Sequence, residues 1–149
     1  MLLSERFKGY DLSSFFDQLR AQGKAVGVEF GNIEVLSNSR LALMASEYAR
    51  DVGRYDSFHQ NIFHAYFTEG MDIGKLDVIA DIARKSDLDE KETLDAVRDE
   101  RYASRLNETR KEGELIGLTG IPLFIIENKY QITGAQAMET FRHFLDKIK

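Results

Sequence analysis

Few side chains in this 149-residue chain have both the type and the spacing to do chemistry. Cysteine is absent, so these residues supply no thiolate nucleophile, no disulfide framework and no thiolate metal site. Of the three histidines, His59 and His64 stand five apart on one predicted helix and share no close face, while His143 falls in the last helix. Surface or packing roles fit them better than ligation, and no metal site is expected. Ser4, Ser13 and Ser14 offer hydroxyls, but none follows a strand, and Ser13 and Ser14 read as first-turn helix residues. Phe58, Phe63, Tyr66 and Phe67 have helical spacing and would suit an apolar groove for a peptide, yet such a stripe is read first as core. The acidic stretch Asp87 to Glu100 reads as a solvated helical face, and Gly117 to Gly120 is too short, and leads to a strand rather than a helix, for a phosphate loop. What remains is Pro122, the one proline of the chain, set in LTGIPLFII between Gly120-Ile121 and a run of strand formers.

The elements that must position these residues follow from apolar spacing. Asp11 can cap a helix with Leu12, Phe15, Phe16 and Leu19 on one face, ended by Gly23. AVGVEF, Ala25 to Phe30, reads as a short strand. Ser37 or Asn38 caps a helix with Leu41, Met44, Ala45, Tyr48 and Val52 inward, and a third helix runs from Tyr55 to Gly70. A fourth buries Leu76, Ile79, Ile82 and Ala83; Asp89 and Glu92 have capping-box spacing before Leu94 and Val97; another helix spans about Tyr102 to Ile116. The period then turns strand-like. PLFII and KYQIT flank Glu127-Asn128-Lys129, which predicts a hairpin with Asn128 in the left-handed turn position. A last helix carries Phe141, Phe144, Leu145 and Ile148. About two-thirds of the chain is expected to be helical, in a mixed α/β arrangement.

Composition narrows the classes. A hydrophobic content of 43% and a net charge of −5 with interleaved signs suit a globular protein with no basic patch for nucleic acid. No apolar run reaches the ~18 residues of a membrane span, so no membrane partner is expected. The charged N-terminus does not read as a secretory signal, and a cytoplasmic location is expected.

Read together, GLTGIPLFIIENKYQITGAQAMETF (Gly117 to Phe141), NSRLALMASEYARDVG (Asn38 to Gly53) and FHAYFTEGMDI (Phe63 to Ile73) resemble the DsbA-like branch of the thioredoxin superfamily. The G-I-P-x-F strand at Gly120, Ile121, Pro122 and Phe124 and the T-G-A-Q turn at Thr133 to Gln136 are most similar to FrnE-type thiol–disulfide oxidoreductases. The resemblance implies a thioredoxin-like fold with a large helical insertion, and a cis bond between Ile121 and Pro122. It also implies protein or peptide thiol substrates paired through the main chain of Ile121, in a groove shaped by Pro122. Gly120 would permit close approach there, and Gln136 would sit at the helix start.

The family's Cys-x-x-Cys is not found, so the chain is expected to be an N-terminally truncated member with an incomplete fold. Residues 1–36 would be a residual thioredoxin-side segment, 37–116 the helical insertion and 117–149 the C-terminal thioredoxin unit. No catalytic residue, metal or cofactor is assigned to this chain alone. The strand headed by Pro122 would then expose an apolar edge, and a homo-oligomer through that edge is expected. The alternatives are a non-catalytic peptide-binding or dimerisation module, or a kappa-class-type glutathione-dependent isomerase or transferase.

Overall fold

The computed structural model describes residues 1–148, 58% of the chain being helical around a small two-stranded sheet. The chain divides within its seventh helix into two compact units, Met1–Leu106 and the residues from Asn107 onward.

The first unit opens with α1 (Leu3–Arg6) and α2 (Leu12–Ala25). Asp11 caps α2, its carboxylate accepting the Ser14 N–H at 3.0 Å. Gly23 does not end the helix as its type suggests. It lies buried inside α2, where a Cβ would meet the Val28 carbonyl at 2.6 Å and the Phe30 ring at 2.7 Å. The glycine serves a close approach, and the chain reverses at Gly27 instead, with φ of 77°. The strand expected at Ala25–Phe30 is also absent. Ala25 belongs to α2, and Val28–Phe30 is extended but joins no ladder. Its bonds are irregular: Val28 N–H donates to Gly23, and Thr68 Oγ donates to the Glu29 carbonyl. A strand needs a partner of matching register, and nothing local supplies one.

The core of this unit is built by α3 (Arg40–Asp51), α4 (Tyr55–Phe63), α5 (Leu76–Lys85) and α6 (Glu90–Arg98). Their apolar stripes meet through Met44, Ala45, Phe58, Ile79, Ile82 and Val97, all but excluded from water. Buried hydroxyls return to helical carbonyls: Ser86 Oγ donates to Ile82 at 2.7 Å and Thr93 Oγ to Asp89 at 2.7 Å. Asp89 caps α6 by accepting the Glu92 N–H at 2.8 Å. The helix expected to continue to Gly70 changes pitch, since α4 passes into a π-helical turn at His64–Thr68. Segment 30–33 packs tightly against this turn. A Cβ on Gly31 would stand 1.9 Å from the Thr68 carbonyl oxygen, and one on Gly70 would stand 2.3 Å from that of Asn32.

Helix α7 (Ala103–Leu115) begins in the first unit, where Arg105 and Tyr102 both bind Asp51, and it buries no residue along its length. The second unit adds β1 (Leu123–Ile126), β2 (Tyr130–Thr133) and α8 (Met138–Lys147). The strands pair antiparallel, Leu123 opposite Thr133 and Ile126 opposite Tyr130. One sheet face packs on α8, with Phe124 on Phe141 at 4.8 Å and Tyr130 on Phe144 at 5.6 Å, both edge-to-face. The turn between the strands places Glu127 as well as Asn128 at positive φ, 52° and 54°, and Lys129 N–H closes it on the Ile126 carbonyl at 3.1 Å. This is a type I′ turn, which needs two left-handed residues rather than one.

Candidate functional site

The head of the hairpin is the place where sequence and geometry converge. The Ile121–Pro122 bond is cis. Having no N–H, Pro122 cannot donate to the ladder, but its carbonyl accepts the Gly134 N–H at 2.8 Å and so extends the pairing one residue beyond Leu123. With Pro122 and Gly134 bonded, antiparallel alternation turns the peptide groups of Phe124 toward β2 and those of Leu123 and Ile125 toward the outer edge. Ile121 precedes this edge with its side chain 83% exposed. Among the described residues neither its N–H nor its carbonyl has a hydrogen-bond partner. The outer edge of β1 therefore offers an open row of main-chain groups, flanked by exposed Ile121 and Ile125.

Gly120 lies beside β2, where an added Cβ would touch only the Thr133 methyl at 3.5 Å, an ordinary contact. Gln136 precedes α8, and its amide turns back to donate to the Thr133 carbonyl at 3.0 Å. Gly120, Ile121, Pro122 and Gln136 thus belong to one small unit organised around the β1–β2 pairing. Thr133 and Gly134 join them through main-chain contacts, which side-chain type alone does not signal. None of Gly120, Ile121, Pro122, Thr133, Gly134 and Gln136 carries an ionisable side chain, so what these residues offer is main-chain pairing and apolar surface.

The other candidates disperse. Phe58 is fully buried in the helical core, and Tyr66 is half-buried with its hydroxyl donating to the Val35 carbonyl at 3.0 Å. Phe63 and Phe67 instead line a groove of the first unit. His59 stacks between Tyr55 and Phe63, with ring centroids at 5.2 and 4.5 Å, while His64 lies 3.4 Å from Glu69. His143 is exposed on α8. Among the described residues no three histidine, aspartate or glutamate side chains gather as a metal site would require. Ser13 and Ser14 occupy the first turn of α2 and Ser4 lies in α1. No helix among the described residues is long and apolar enough to cross a membrane.

The model of the DSBA-like thioredoxin domain matches residues 12–146. A crystal structure of a probable DsbA oxidoreductase from Streptomyces coelicolor is similar over 88% of this chain and 57% of its own, with a TM-score of 0.76 at 22% identity. The Bacillus subtilis protein YwbO, itself described as uncharacterized, is 25% identical over 125 residues, 83% of this chain. The chain spans 62% of the length of that relative.

Proposed function

Because this chain belongs to the DSBA-like thioredoxin domain family, we propose that it is a FrnE-type member that holds an extended protein or peptide thiol substrate along the outer edge of β1. One observation carries this reading: Ile121, directly before Pro122, keeps both main-chain groups unpaired at the head of an open strand. A substrate segment laid beside it gains strand-type hydrogen bonds that are indifferent to its side chains, while Ile121 and Ile125 supply apolar contact. Pro122 sets the direction of the chain entering β1, and Gln136 braces the Thr133 end of the same pairing.

The sulfur chemistry has to come from other residues. In thiol–disulfide exchange a thiolate attacks one sulfur of a disulfide, forms a mixed disulfide and expels the second sulfur as thiolate. With no cysteine among its 149 residues, this chain contributes substrate holding, and the attacking thiolate belongs to a partner or to residues outside this sequence. Two measurements test the reading. In dithiothreitol-driven insulin reduction the chain alone should give the background rate, and turnover above background would overturn the division of labour. Binding of an extended cysteine-containing peptide should weaken roughly three- to tenfold in Ile121→Pro, which removes one main-chain donor. Unchanged binding in that variant would remove Ile121 from the site.

The open edge also favours a second reading, a non-catalytic dimerisation module in which β1 of one copy pairs with β1 of another. Its test is the assembly state in solution.

A further inference from the structure

The first unit holds a groove of about 980 Å³ that the hairpin reading does not use. One wall is the extended segment Val28–Phe30, and the other is the end of α4 with its π-helical turn, presenting Phe63 and Phe67. Phe63 and Phe67 end a longer aromatic row that runs beyond the groove along α4. Tyr55, His59, Phe63 and Phe67 recur every four residues with neighbouring rings 4.5 to 5.5 Å apart, and Phe30 meets Phe67 edge-on at 6.0 Å. Phe63 remains 49% exposed and Val28 45%, so this apolar surface is not closed by its own unit.

The walls are held at a set distance. Gly31 N–H donates to the Phe67 carbonyl at 2.9 Å, Thr68 Oγ donates to the Glu29 carbonyl at 2.9 Å, and Gly31 leaves no room for a side chain against Thr68. The groove is therefore built before any occupant arrives, which lowers the ordering cost of binding.

Its chemistry describes the occupant. Among the described residues the N–H of Glu29 and both main-chain groups of Phe30 have no hydrogen-bond partner. Of the two ionisable residues on the lining, His64 lies against Glu69, whereas the Glu29 carboxylate has no ion-pair partner among the described residues. The chain as a whole carries a net charge of −5. Unsatisfied extended backbone asks for an extended backbone, an aromatic wall for a large apolar side chain, and an exposed carboxylate on the lining for a cation. We infer that this groove is a second peptide-docking site, one that takes an extended segment carrying an aromatic residue next to a lysine or arginine. None of its lining residues belongs to β1, and it does not depend on the reading of that strand's edge.

The test is an amide-resolved NMR titration of the full chain with a ten-residue peptide alternating phenylalanine and lysine with threonine and valine, at physiological salt. Saturable shifts should centre on Glu29, Phe30, Phe63, Phe67 and Thr68. Phe63→Ala and Glu29→Lys should each weaken the peptide at least fivefold, as should N-methylation of alternate peptide amides. Phe63 is half-exposed and Glu29 exposed, so both variants should keep the native spectrum, and Glu29→Lys alone decides if the other does not fold. No saturation by about 1 mM, shifts centred on Ile121 to Ile126, or unchanged affinity in Glu29→Lys would each overturn the inference.

Discussion

Asp51 shows how one residue couples distant parts of the first unit. Its carboxylate accepts from Arg105 at 2.9 Å and from the Tyr102 hydroxyl at 2.8 Å. The Arg105 bond first, then the Tyr102 hydroxyl, hold this carboxyl below its ordinary value of 3.8. Since the folded state binds the proton less readily than the unfolded chain, the stabilisation is complete above about pH 4 and is lost as pH falls below it. Asp51→Asn should therefore lower the melting temperature near neutrality, and the gap from the parent should shrink as pH is taken below about 4. A gap independent of pH in scanning calorimetry would contradict this. Glu127 offers the opposite case, a side chain in a backbone state it does not favour. Both central turn residues have positive φ, so the double change Glu127→Asn with Asn128→Gly should stabilise the protein by about 1 kcal/mol, read as a higher urea midpoint.

At the scale of elements, the contact between segment 30–33 and the π-helical turn is the most demanding in the first unit. Two glycines separate two causes. Gly31→Ala would drive a methyl to 1.9 Å from the Thr68 carbonyl, whereas Gly53→Ala meets nothing within 4 Å and suffers only from a φ of 71°. The first should cost more than about 2 kcal/mol and the second about 1 kcal/mol, measured by denaturant unfolding. Equal costs would mean that segment 30–33 gives way freely, and the adjoining groove wall Val28–Phe30 would lose its fixed spacing from Phe67. Helix α7 obeys a different rule. With no buried residue it owes its helicity to its exposed polar composition and to pairs such as Arg110 with Glu114 at 3.0 Å, rather than to an apolar face.

For the whole molecule, the question is what covers the outer edge of β1. Ile121 is 83% and Ile125 45% exposed beside main-chain groups turned outward, a combination that soluble proteins rarely leave open. If a second copy pairs there, sedimentation equilibrium should show a dimer, and Ile125→Lys should shift it toward monomer by placing like charges opposite each other across the new strand pair. A monomer at all concentrations would discard pairing between copies and leave the edge to other partners. The domain scheme of 1–36, 37–116 and 117–149 stays a proposal about descent; the compact units of the folded chain meet at Leu106 and Asn107.

Much of this was legible in the residues themselves. The apolar stripes of α3, α5 and α6, the caps at Asp11 and Asp89, the paired runs around Glu127 to Lys129 and the family's motifs are all local, written over a few turns of chain or one hairpin. So is the absence of a thiol, which settles by composition what chemistry this chain cannot supply alone. The tertiary structure decided the rest. Gly23 lies inside a helix because Phe30 comes down on it, Ala25 to Phe30 forms no strand because no partner lies in register, and α4 changes pitch where segment 30–33 crosses it. In each case the outcome rests on packing or pairing that residue type and spacing do not report. Periodicity reports which face of a segment is buried, and only the folded chain reports what that face is buried against.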